Sequence, residues 1–140
     1  MTFEDKIEIQ LQTYSAGYAI VGGKAYSIKN GEVTTEQVGI REACVMFDEN
    51  MDARQPSSTF FLLANCFISF NSQAQKIHLH DGSDYVYSYY VILPLKKSIY
   101  HLIPREGDVV RITKADGTIN AEKEVKGFVT YKKRYLKIWL

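Results

Sequence analysis

Cysteine is scarce in this chain, an excess of charge of either sign is missing, and no apolar run is long. The two cysteines, Cys44 and Cys66, lie in apolar surroundings without Cys-x-x-Cys spacing. Two buried free thiols are therefore expected rather than a disulfide. Seventeen Lys and Arg against sixteen Asp and Glu leave a net charge of +1. That is no strong electrostatic footprint for nucleic acid or membrane. The longest apolar run, residues 60–70, is interrupted by Asn65 and Ser69 and has about half the length needed to span a bilayer. The opening Met1-Thr2-Phe3-Glu4-Asp5-Lys6 lacks a basic-then-apolar signal pattern, so the chain is expected to be made and initially kept in the cytoplasm. No low-complexity tract, internal repeat or interdomain linker is visible.

Catalytic signatures are missing too. There is no Gly-x-Ser-x-Gly, no phosphate-cradling Gly-x-x-x-x-Gly-Lys and no dinucleotide glycine pattern. Gly22-Gly23-Lys24 is too short for a phosphate loop and sits between two strand-like runs. Neither cysteine has a histidine in a recognisable catalytic context. The expectation is a protein that is not an enzyme, with no catalytic residue and no cofactor.

What is present is an ordinary globular composition, 46% apolar and 24% charged, enriched in ten Tyr and seven Phe. Its 140 residues fit one domain, long enough to bury roughly 68–70% of its unfolded surface without a metal or disulfide. Residues 6–14 alternate, with Ile7, Ile9 and Leu11 on one side and Glu8, Gln10 and Gln12 on the other, a half-buried strand. Gly22-Gly23 and Asn30-Gly31 then punctuate a meander. Within residues 35–52, Ile40, Cys44, Phe47 and Met51 form a helical stripe that Thr34 or Thr35 would cap, with Glu36 in the first turn. One short helix is expected there, although Gly39 and the Ala43, Val45, Phe47 set would also suit a strand.

Residues 52–58 around Pro56 read as a loop. Residues 60–70 read as a strand buried on both faces or a buried helix, with Phe and Ile favouring strand. Residues 71–75 turn the chain. Residues 84–93 read as one long strand with Tyr85, Tyr87 and Tyr89 sharing a face, ended by Pro94; a short run, 98–103, stops at Pro104.

The last third, residues 106–140, is the best-patterned stretch. Asp116-Gly117 lies between alternating runs, a strong hairpin signal. The final run places Leu136, Ile138 and Leu140 on one face and Tyr135, Lys137 and Trp139 on the other. A chain that ends on Ile138-Trp139-Leu140 is expected to end inside its own sheet. Together the turn signals predict a mainly β domain spanning residues 1–140: a small antiparallel barrel or sandwich of about eight to ten strands, with the one short helix within residues 35–52.

Two constellations carry candidate chemistry. His78-Leu79-His80 has metal-like spacing on a strand, with Asp81 or Asp84 able to add a carboxylate. It faintly resembles the first motif of the cupins, with Asp84 where that motif has Glu. The motif's flanking glycines are absent, and His101 precedes rather than follows the region of Pro104 where a second-motif ligand would stand. Two solvent-facing histidines and no bound metal are the expectation, with a cupin-like metal enzyme the third choice. Tyr85, Tyr87 and Tyr89 together with Lys132-Lys133-Arg134 match what a nucleic-acid-binding barrel would use to stack bases and track phosphates. Cross-strand packing of the tyrosines and a solvated basic turn are the preferred explanation, because the chain as a whole is barely cationic. Weak, salt-sensitive nucleic-acid binding at most is expected. Lys96-Lys97 and Lys132-Lys133-Arg134 also suit edge protection at strand ends.

The pattern Ile103-Pro104, Glu106-Gly107-Asp108, Val110-Arg111-Ile112, Asp116-Gly117-Thr118, Gly127-Phe128 and Leu136-Lys137-Ile138-Trp139-Leu140 resembles the end of small β-barrel connector proteins of tailed bacteriophages, the head-closure or stopper class and related minor capsid proteins. The resemblance covers about 35 residues and consists of turn glycines and core apolars. It implies a non-enzymatic structural protein of the virion neck, assembled in the host cytoplasm. Its expected partners are other copies of itself in a ring, portal or adaptor proteins and tail proteins, with incidental contact with packaged DNA and no membrane. Interface contacts are expected at Tyr85, Tyr87, Tyr89 and Trp139. A nucleic-acid-binding module is the alternative.

Overall fold

The structure is a computed structural model that describes residues 2–14, 17–39 and 57–140. Its contacts divide the chain into two compact units, residues 1–9 with 62–140, and residues 10–61. Strands β1 (Asp5–Tyr14) and β5 (Ser57–Phe70) supply residues to both.

The smaller unit is the predicted meander. The end of β1 pairs with β2 (Tyr18–Val21), β2 with β3 (Lys24–Lys29), and β3 with β4 (Glu32–Val38), all antiparallel. Asn30 and Gly31 both take positive φ, 54° and 77°, as a tight two-residue hairpin loop demands. The helix expected from residue 35 does not begin there: Thr34, Thr35 and Glu36 lie in β4, where β-branched residues and a cross-strand partner favour extended backbone. Thr34 bonds Ser27, and Glu36 accepts a 3.0 Å hydrogen bond from Lys29, which holds its carboxyl below the usual range. The remainder of the helical stripe and the Pro56 loop lie outside the described residues, but Ser57 and Ser58 already belong to β5.

The larger unit has the strand order β11-β12-β8-β5-β1-β9-β10, where β8 is Tyr89–Pro94, β9 Val109–Thr113, β10 Asn120–Glu124, β11 Gly127–Tyr131 and β12 Tyr135–Trp139. A separate two-stranded hairpin joins β6 (Lys76–His78) to β7 (Asp84–Val86). The mainly β, antiparallel expectation holds. A closed barrel is not formed, because β10 and β11 share no ladder. They are linked covalently through Val125, whose N–H donates to the Asp108 carbonyl (2.8 Å), and Lys126, whose N–H donates to the Trp139 carbonyl (2.9 Å). The core of this unit is aliphatic: Ile7, Ile9, Ile68, Val91, Leu93, Val110, Ile112, Leu136, Ile138 and Leu140 are all buried. Those on strands sit at alternate positions, as a one-sided sheet requires, and Leu140 continues the alternation just past the end of β12. On the other face of β1 and β9, Arg111 donates through Nε and a terminal nitrogen to the two carboxylate oxygens of Glu8, at 3.0 and 2.9 Å.

Two further expectations are corrected. β5 is not buried on both faces: Leu62 and Phe70 are exposed, and the buried positions change parity between Leu63 and Cys66. Residues 84–93 do not form one strand. Tyr87 and Ser88 interrupt it, and the two halves enter different sheets. The short run before Pro104, whose type the sequence pattern leaves open, is a 3-10 helix, Lys97–Leu102.

Cys66 is a buried free thiol, pushed up to about 12 by burial and then by the charge of Asp5; Cys44 lies outside the described residues. In a Cys44→Ser variant at pH 8, roughly one Cys66 in ten thousand would be thiolate. A disulfide reagent should therefore label Cys66 only after denaturant is added. Labelling of the native variant at the rate of an exposed thiol would contradict this burial.

Candidate functional site

The β6–β7 hairpin carries the histidine motif. Asn71 shapes the chain entering it. Its side-chain amide donates to the carbonyls of Gln75 and Tyr87, both at 2.8 Å, and its oxygen accepts the Gln75 N–H at 2.9 Å. At the tip, Asp81 accepts from the Ser83 hydroxyl and N–H, which lowers its pKa. His78 and His80 both point to solvent, but they do not converge. His78 Nδ1 lies 2.8 Å from Asp84, while His80 Nε2 lies 3.2 Å from Glu106 on the loop before β9. His101 is in the 3-10 helix. Among the described residues no group of three His, Cys, Asp or Glu side chains is placed to hold a metal ion. The histidines instead rim an open cleft of about 400 Å³, lined with Ile77, Lys126, Phe128 and Trp139.

The tyrosine row predicted along residues 85–89 is broken. Tyr85 lies on β7 with Lys126 5.3 Å above its ring. Tyr87 is buried; its hydroxyl donates to Gln75 and its ring meets Tyr90 edge-on at 6.5 Å. Tyr89, on β8, packs against Phe70 at 4.8 Å. No common stacking platform results. The physical reason is the Tyr87-Ser88 interruption, where the Ser88 N–H donates to the Leu140 carbonyl at 2.7 Å.

A different aromatic face emerges on the outer side of β8, β12 and β11. The ladder aligns Tyr90 with Trp139 and Ile92 with Lys137, then Lys137 with Val129 and Tyr135 with Tyr131. These positions alternate with the buried Val91, Leu93, Leu136 and Ile138, so they face away from the core. Lys137 spreads over this face, 4.5 Å from the Tyr90 ring centre and 5.3 Å from that of Trp139, close enough for cation–π attraction. Trp139 is half-buried against Gly127, where an added Cβ would sit 3.6 Å from its ring. Tyr131 and Tyr135 remain 48% and 41% exposed. Sequence reasoning placed Trp139 and Tyr135 on this face but missed Tyr90 and Tyr131. Pairing them required knowing that β12 lies between β8 and β11.

No helix among the described residues is long and apolar enough to cross a membrane. No family model, no curated protein and no solved structure matches this chain.

Proposed function

We propose that this protein is a non-enzymatic structural subunit of a tailed-phage virion, a head-to-tail connector of the neck that associates with copies of itself in a ring. The observation that carries the reading is the outer face of β8, β12 and β11. A continuous set of Tyr90, Ile92, Trp139, Tyr135 and Tyr131 there is covered only in part by the chain's own side chains. Aromatic side chains of this kind supply most of the energy in protein interfaces, and a ring needs such a patch to meet a complementary one on the next copy. The stretch that resembles the connector class is the one that forms β9 to β12, so the resemblance and the face fall on the same segment. Portal, adaptor and tail proteins are the further partners in this reading, and the virion neck is its location.

The test is Trp139→Ala. The monomer should keep its circular dichroism, and light scattering or electron microscopy should show that rings formed by the parent protein are lost. Unfolding of the isolated variant would place Trp139 in the core and end its role as an interface anchor. A parent protein that stays monomeric at high concentration, alone and with portal protein, would remove the connector reading.

A further inference from the structure

Lys96-Lys97 and Lys132-Lys133-Arg134 are far apart in sequence, but the fold brings them to one end of the larger unit. Pro94 pairs with Tyr135, and the Leu95 N–H donates to the Arg134 carbonyl at 2.8 Å. All five cations are exposed. Among the described residues none of the five has a carboxylate within 4.0 Å, whereas Lys29, Arg111, Lys114 and Lys126 each do. The chain has seventeen cations and sixteen anions, so setting these five aside leaves an excess of four anions elsewhere. The near-neutral total conceals a local concentration of positive charge.

Rings lie at the same end. Tyr131 and Tyr135 flank the basic turn as an exposed cross-strand pair, and Phe3 stacks on Tyr135 with ring centres 6.0 Å apart. Phe3, Ile92, Tyr131 and Tyr135 line a shallow, largely apolar recess of about 400 Å³. Exposed Tyr100 stands on the 3-10 helix that begins at Lys97. Cations alone would suit any polyanion. Cations beside open rings suit one whose bases are free to stack.

We infer that this end of the larger unit, Lys96, Lys97, Lys132, Lys133 and Arg134 with Tyr131 and Tyr135, binds single-stranded nucleic acid. The cations hold phosphates and Tyr131 stacks a base. This surface is distinct from the Tyr85, Tyr87, Tyr89 set; it shares Tyr131 and Tyr135 with the face proposed for ring contacts, so one subunit uses them for one or the other, and an oligonucleotide meets the unassembled protein.

The β11–β12 turn supplies a clean variant. Lys132 and Lys133 both have positive φ, 50° and 57°, a conformation in which Asn and Gly are preferred. Lys132→Asn/Lys133→Gly therefore removes two charges while suiting the turn better than the parent. The probe is a fluorescein-labelled twenty-nucleotide oligothymidylate, with binding followed by anisotropy from low to physiological salt. The parent should bind at low salt. The double variant should bind more weakly, with a slope of log affinity against log salt reduced by about 1.4. Tyr131→Ala should weaken binding about tenfold with the slope unchanged. A duplex of equal length should bind less tightly than the single strand. No binding at low salt overturns the inference. So does equal affinity for duplex with no effect of Tyr131→Ala, and so does tighter capture by anionic lipid vesicles or polyglutamate than by the oligonucleotide.

Discussion

Removing residues 135–140 should leave a chain that does not fold. β12 is an interior strand, paired with β8 on one side and β11 on the other, so its loss breaks two ladders at once. Three side chains with almost no exposure go with it, Leu136, Ile138 and Leu140, each stabilising by roughly 1.5–3 kcal/mol. The bonds that Ser88 and Tyr89 give to the Leu140 carbonyl, and that Tyr89 accepts from its N–H, are also lost. Together these approach or exceed the whole margin of a typical domain, about 5–15 kcal/mol. Circular dichroism and one-dimensional NMR should show no cooperative unfolding and no dispersed methyl signals. The point variant Ile138→Ala should still fold at low temperature, less stable by about 2–5 kcal/mol. A truncated chain with a sharp thermal transition would show that β8 and β11 can do without the strand between them.

The second large effect is expected at a charged residue. Asp5 is only 5% exposed. One carboxylate oxygen accepts the Ile68 N–H and the other the Ala115 N–H, both at 2.9 Å, and Lys114 Nζ lies 3.6 Å away. One side chain thus ties β5 to the turn after β9. Asp5→Ala would leave two buried backbone donors without their acceptor and take the charge partner from Lys114, whose Nζ keeps the Ile68 carbonyl at 3.2 Å, and should cost about 3–5 kcal/mol. For a domain of this size that is a fall in Tm of about 10–20 °C. Asp5→Asn keeps the shape and one good acceptor, so it should lose less. Measured by urea unfolding, a loss below about 1 kcal/mol for Asp5→Ala would mean that water takes over both donors.

Neither the role of Asp5 nor the positive φ of Lys132 and Lys133 was legible in the sequence, for different reasons, although the basic turn itself was. Asp5 looks like one more surface charge before a strand, and its partners lie 63 and 110 residues away. A turn built on two lysines lacks the Asn or Gly that advertises positive φ. Local signals fared better. The alternation of Ile7, Ile9 and Leu11 located β1, and Asp116-Gly117 located the β9–β10 hairpin, where Gly117 has φ 78° and Asp116 holds the Thr118 N–H. The buried set Leu136, Ile138 and Leu140 was legible from parity alone. Errors arose where local pattern and tertiary pairing conflicted. Thr34-Thr35-Glu36 looked like a helix cap until β3 was available as a partner. The Tyr85–Tyr89 row looked continuous until the break at Tyr87 sent its halves to different neighbours. The candidate face was half legible, because parity assigns a side chain to a side but not to an adjacent strand.

The insertion of β1 between β5 and β9 also governs how the chain reaches this structure. Glu8 meets Arg111 across 103 residues, and Asp5 meets Ala115 across 110. No contact close in sequence can stand in for that pairing. A large loop must close, at an entropic cost, before the ladder returns anything. Sheets dominated by such pairings form in milliseconds to seconds, against microseconds to milliseconds for locally wired helical proteins. Throughout that interval β5 and β9 each have an unmatched edge, and β5 is the apolar one, with Leu62 and Phe70 already turned outward. The segment that later lies beside β1 is thus also the one most open to pairing with a second unfinished chain. Whatever shortens the wait for β1 protects yield without altering the finished molecule.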